Sequence, residues 1–107
     1  MPNAAEFSDK MAELQKMRVA LVILISQETS KLLSRRQRVA GKEIEVMCAE
    51  RDLEEGGDFD RHQQELEELY QQDRVVRLAL AETEQDIAKM EQLMAKVDAD
   101  IASLCQS

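Results

Sequence analysis

The sequence predicts an all-α fold, and three observations carry that prediction. Apolar residues recur at intervals of three and four along almost the whole chain. Charged residues make up 34% of the composition and aromatic residues 3%, the balance of a long-helix protein rather than of a β or α/β domain. Residues that break helices are scarce, with one proline and three glycines. The one credible internal break is the acidic stretch Asp52-Leu53-Glu54-Glu55-Gly56-Gly57-Asp58-Phe59-Asp60, and no period-two alternation marks a strand.

The first helix is predicted over about 3–52. Asn3-Ala4-Ala5-Glu6 has the spacing of a capping box, and Ser8-Asp9 offers a second start. Phe7, Met11, Leu14, Leu21, Ile25, Leu32, Val39 and Val46 then recur at helical spacing, with Leu33, Ala40, Ile44 and Met47 beside them. The run from Val19 to Ile25 is apolar on every side, so one partner helix cannot cover it: a second neighbouring helix, a binding partner or a second copy of the chain is expected there. Gly41 is the soft point of this helix.

An acidic glycine turn is expected at 53–58, because adjacent glycines forfeit about 1 kcal/mol each inside a helix and readily take the left-handed geometry that ends one. Asp58 or Asp60 would cap the next helix. After it, positions spaced alternately by three and four run in phase from Phe59 to Leu104, through His62, Leu66, Leu69, Asp73, Val76, Leu80, Thr83, Ile87, Met90, Met94, Val97 and Ile101. Asp73 and Thr83 are polar members of this seam, and a second turn could hide between them although no glycine or proline marks it. Two architectures follow: a two-helix coiled-coil hairpin, or a bundle in which helix 2 (59–80) and helix 3 (82–106) fold back on one another. Arm lengths favour the hairpin and the apolar run favours the bundle.

Length places residues 1–107 in one domain with a slender, linear core. Net charge is −8. Residues 1–42 hold eight basic and four acidic side chains, and residues 43–107 hold six and eighteen. An acidic majority argues against nucleic-acid binding, and the basic group Lys31, Arg35, Arg36, Arg38 and Lys42 has no interleaved aromatics for base stacking. The longest uncharged run, Val19–Ser26, falls short of the roughly 20 residues of a membrane span. Cys48 and Cys105 lack metal-ligand spacing and no secretory signal precedes them, which predicts a reduced, cytoplasmic setting.

Catalysis is not expected. Asp52, Glu54, Gly57, Asp58 and Asp60 fit positions 1, 3, 6, 7 and 9 of a calcium loop, but Gly56 at position 5 and Gln63 at position 12 do not. His62, the single histidine, shares its heptad level with no nucleophile, and no glycine loop could cradle phosphate. The reading is of a protein without catalytic residues, cofactor or metal.

Glu43-Ile44-Glu45-Val46-Met47-Cys48-Ala49-Glu50, the acidic glycine turn, Asp58-Phe59-Asp60 and the Gln/Glu-rich stretch from His62 to Glu68 together resemble the tubulin-binding cofactor A family. The similarity is clearest from about Arg35 to Val76. The chain differs from that pattern in its glycine pair, in the apolar run of its first helix and in lacking a proline in the second arm. The resemblance implies an elongated antiparallel three-helix bundle. It also implies a chaperone that captures β-tubulin before αβ-heterodimer assembly, alongside other tubulin-folding cofactors, in the cytoplasm and with the cytoskeleton. The expected contact residues are Val19, Ile23, Lys31, Arg35 and Arg38 of the first helix with Asp60, Glu65 and Tyr70 of the second, since tubulin is acidic and tyrosine suits an interface. The competing expectation is a self-associating coiled-coil adaptor or secretion-type helical chaperone that dimerises through Val19–Ile25. Monomer and homodimer are both open.

Overall fold

The computed structural model describes residues 3–106. Two α-helices account for nearly all of them: α1, Ala4–Glu55, and α2, Phe59–Gln106. The fold is a helical hairpin, and the expected three-helix bundle is not formed. α2 runs without interruption through the place where helix 2 was to end and helix 3 to begin. The reason lies in the two polar seam residues. The Thr83 hydroxyl donates to the Ala79 carbonyl oxygen one turn back, at 3.0 Å, and accepts from Arg35. Asp73 pairs with Arg77 at 2.9 Å across one turn of α2. The Thr83 hydroxyl and Asp73 Oδ2 thus have partners compatible with a continuous helix, Asp73 Oδ1 being buried without one, and with no glycine or proline nearby nothing forces a turn.

α1 begins where Asn3 caps it, its Oδ1 accepting from the Glu6 amide at 2.8 Å. It extends three residues beyond the expected end, to Glu55, because Leu53 still turns partly inward and rewards another turn of helix. Gly56 and Gly57 then take φ of 96° and 98°, a region that side chains rarely enter, and the chain reverses. Asp58 starts α2: its Oδ1 accepts from the Arg61 amide at 3.2 Å and its carbonyl from the His62 amide at 3.0 Å. Asp60 sits in the first turn, where its charge suits the positive end of the helix.

The chain divides into two units, Met1–Ser30 with Gln85–Ser107, and Lys31–Glu84. In the first, Met11, Leu14, Leu21, Ile25 and Glu28 of α1 turn partly inward, with Ile87, Met90, Met94, Val97, Ile101 and Leu104 of α2. In the second, the inward positions are Leu32, Arg35, Val39, Lys42, Val46, Ala49 and Leu53, with His62, Leu66, Leu69, Asp73, Val76, Leu80 and Thr83. The α2 positions are the in-phase set read from the sequence, Phe59 excepted, which is exposed. Burial is thin: among the described residues Val39, Leu66, Ile87, Val97 and Thr83 are the buried ones. Two helices cannot enclose a core, so each leaves its outer side uncovered.

Candidate functional site

The seam of the Lys31–Glu84 unit is bridged by polar groups. Two of the inward positions of α1 here are cations, Arg35 and Lys42, between apolar Leu32, Val39 and Val46. Arg35 donates through Nη1 to the Thr83 hydroxyl. Lys42 Nζ donates to Gln72 Oε1 at 2.7 Å and to Glu45 Oε2 at 2.9 Å. Arg77 reaches across to Glu43 at 2.7 Å while holding Asp73, and the bond to Asp73 first, then that to Glu43, raises its pKa, so the guanidinium stays charged. Nearer the turn, the Tyr70 hydroxyl donates to Glu50 Oε1 at 2.9 Å. That bond, with partial burial and the Glu50 charge, pushes the phenol pKa up. In the other unit Arg18 bridges to Asp98 at 2.8 Å. These contacts fix which residue of α1 faces which residue of α2. Lys42 and Gln72 also line an open groove of about 490 Å³ together with Glu68, Gln71, Val75 and Val76.

The outer side of α1 is of another kind. With Met11 as position a of a heptad, the seam occupies a and d, and positions b, c and f face away from α2. Between Val19 and Cys48 all eight charged residues fall on d, e or g, and all fourteen residues at b, c and f are uncharged and exposed. In a hairpin whose outer side meets only water the opposite holds, with charge concentrated on that side. Its large members are Val19 (60% exposed), Ile23 (52%), Leu33 (55%), Ile44 (63%) and Met47 (68%). Ser30 donates to the Ser26 carbonyl oxygen at 3.2 Å, so its hydroxyl can be covered without stranding a donor. Met17, Val22 and Leu24 widen the apolar surface in the Met1–Ser30 segment, where a shallow groove lined by Leu14, Met17, Leu21, Leu93 and Val97 runs alongside.

Of the expected contact residues, Val19 and Ile23 lie on this outer face. Lys31 and Arg38 are exposed at its g-position flank. Arg35 turns inward to Thr83. Asp60 and Glu65 belong to the first two turns of α2, where Glu65 accepts from Arg61 at 3.1 Å, and Tyr70 is engaged with Glu50. The eight therefore do not share one face. Leu33, Ile44 and Met47 join Val19 and Ile23 instead. The signal for them was present in the sequence, as the absence of charge at every b, c and f position over four heptads.

Asp52 and Glu54 lie within the helical end of α1 and Asp58 caps α2, so the residues of the calcium-loop pattern do not form a twelve-residue loop. Among the described residues no group of three His, Cys, Asp or Glu could hold a metal ion, and no helix is long and apolar enough to cross a membrane. No protein-family model, curated protein or solved structure matches this chain.

Proposed function

We propose that this chain is a non-catalytic helical adaptor that works by self-association, burying the outer face of α1 against a like helix. The observation that carries this reading is the confinement of every charge between Val19 and Cys48 to the seam and its flanks, leaving five large apolar side chains exposed on the other side. Exposed apolar surface of this extent is a liability unless something covers it. With five buried residues among those described, the hairpin also has little core of its own, so association would supply burial that two helices cannot. Sedimentation velocity over a wide concentration range tests the reading. The weight-average mass should rise from one chain towards an integral multiple, and a constant monomer mass at high micromolar concentration would refute it.

A second reading rests on the resemblance to tubulin-binding cofactor A. The resembling segment presents exposed Ile44 and Met47, with Arg38 exposed at the flank of the same face, and mixed apolar and basic character suits an acidic partner such as β-tubulin. On this reading the protein is a cytoplasmic, cytoskeleton-associated chaperone that holds β-tubulin without nucleotide or cofactor. Size-exclusion co-elution tests it: a complex with β-tubulin but not with the intact αβ heterodimer is expected, and the absence of both sinks it.

A further inference from the structure

Gly41 is the residue of α1 that nothing among the described residues calls for. Its backbone lies outside the positive-φ region that Gly56 and Gly57 occupy, and a Cβ placed on it would meet nothing within 4 Å. Glycine inside a helix weakens it relative to alanine. A second body resting against the backbone would explain it, since only glycine allows so close an approach. Gly41 and Ala40 lie on the outer face of α1, both exposed, between large exposed Leu33 on one side and Ile44 and Met47 on the other. All of these belong to the Lys31–Glu84 unit. With a second copy of the chain as that body, an inference that rests on the self-association reading, this unit also specifies how the two meet.

Charge along α1 divides at the same point. Residues 31–41 hold Lys31, Arg35, Arg36 and Arg38 and no acid, whereas residues 43–53 hold Glu43, Glu45, Glu50 and Asp52 with Arg51 as the single base. Arg35 and Lys42 turn inward to Thr83 and Gln72. Arg36 and Arg38 are exposed and have no ion-pair partner among the described residues. The chain thus carries both halves of a complementary pair. A parallel second copy would set basic half on basic half and acidic on acidic, at an interaxial distance of about 8–10 Å, comparable with the Debye length at physiological salt. An antiparallel copy centred at the level of Lys42 sets each half on its opposite. Arg38 then falls beside Glu45, Arg36 beside Glu50 and Lys31 beside Asp52, each twice by the two-fold symmetry. Glu43 meets its own copy near the axis, where each is already paired with Arg77 at 2.7 Å.

Size agrees with charge. Within this unit the stripe Leu33, Gln37, Ala40, Ile44, Met47 and Arg51 advances by alternating steps of four and three. About the Lys42 level Ile44 falls on Ala40 of the other copy, Met47 on Gln37, and Gly41 on Gly41. Leu33 comes against the shallow hollow of about 330 Å³ lined by Ile44, Met47, Cys48 and Arg51. We infer that two copies join in a two-fold antiparallel contact of residues 31–53 of α1, with Gly41 at the axis. On the Gly41 flank, Ser34 of one copy then neighbours Cys48 of the other. Within one chain these positions are about 21 Å apart along the helix, from 1.5 Å per residue, so a shorter link between them must join two chains.

The experiment uses the full-length chain carrying Ser34→Cys and Cys105→Ser, treated with a short bismaleimide and mapped by mass spectrometry, with sedimentation on the uncross-linked sample. Dimer mass with position 34 linked to Cys48 supports the inference. Dimer mass with only like positions linked, 34 to 34 and 48 to 48, overturns the antiparallel contact while leaving self-association standing. Monomer mass at all concentrations overturns both. Arg38→Glu and Glu45→Arg should each raise the dimer dissociation constant by about tenfold, and the two together in one chain should restore it. Gly41→Gln improves the helix of the single chain, yet should weaken the dimer by a similar factor while far-UV circular dichroism stays helical. Dimerisation unchanged in Gly41→Gln and in both single charge variants would place the interface elsewhere and refute the proposal.

Discussion

Arg35 of α1 donates a hydrogen bond to the hydroxyl of Thr83 on α2, and Thr83 is completely shielded from solvent. The threonine hydroxyl donates its own hydrogen bond to the Ala79 carbonyl oxygen, so its acceptor lone pairs are left to the guanidinium. This one contact explains how a polar residue in the seam of α2 coexists with an unbroken helix. It also ties a fixed level of α1 to a fixed level of α2, as a single polar core residue does in coiled coils whose register it sets.

Thr83→Val keeps shape and volume but leaves the Arg35 donor facing an apolar group. A cost of about 1 kcal/mol is expected, the low end for an unsatisfied donor because Arg35 is only half-buried. Arg35→Leu together with Thr83→Val should recover most of that loss, because a polar pair replaced as a unit by apolar groups is often neutral. Urea unfolding followed by circular dichroism measures both. If the double variant loses the sum of the single losses, the two residues are not energetically coupled and this account of the seam is wrong.

Continuity of α2 makes a separate prediction for amide hydrogen exchange. Every amide from Asp73 to Gln85 should be protected to a similar degree, since each has an acceptor four residues back. A turn in that interval would strand the first few amides of a new helix. Three or four successive fast-exchanging amides there would restore the three-helix arrangement.

Sequence periodicity identified the α2 seam from His62 to Leu104, Phe59 alone of the series being exposed, because a strict three-four alternation leaves little freedom in which face packs. Both caps were legible as well, in Asn3 and in the choice between Asp58 and Asp60. The hairpin was legible as one of two architectures, but the choice between it and the three-helix bundle was not. Asp73 and Thr83 looked like seam defects because what rescues them, Arg77 one turn away and Arg35 far along the chain, are themselves charged residues that pattern reading assigns to solvent. For the same reason Arg35 read as a surface contact. Leu33, Ile44 and Met47 escaped notice because a helix apolar on two sides blurs the single-stripe signal, and the charges had to be placed by heptad position before the second side stood out.

Tyr70 offers a spectroscopic check on the hairpin near its turn. Its phenol is held protonated chiefly by the bond it donates to Glu50, so its pKa lies above the ordinary value near 10. A folded-state pKa raised above the unfolded one gives a stabilisation that is fully present below about pH 10 and is lost as pH climbs through the folded value. The chain has one tyrosine and no tryptophan, so phenolate absorbance reports this group alone. Glu50→Ala should move the titration midpoint down towards that of a free tyrosine. An unchanged midpoint would mean that the hydrogen bond is not maintained in solution.

The reversal at Gly56 and Gly57 separates two effects that usually act together. Both residues have strongly positive φ, so alanine at either is strained by about 1–3 kcal/mol. Their surroundings differ. A Cβ on Gly56 would meet open space, whereas one on Gly57 would lie 3.2 Å from Nε2 of His62. His62 turns partly inward as the first seam residue of α2, and its ring cannot retreat without giving up that packing. Gly57→Ala should therefore destabilise the hairpin more than Gly56→Ala, and the excess should shrink when His62→Ala is added. Thermal unfolding of the four variants, with His62→Ala alone as the fourth, measures the difference. Equal losses at both glycines, unaffected by His62→Ala, would mean that backbone strain alone sets the cost and that His62 does not brace the turn.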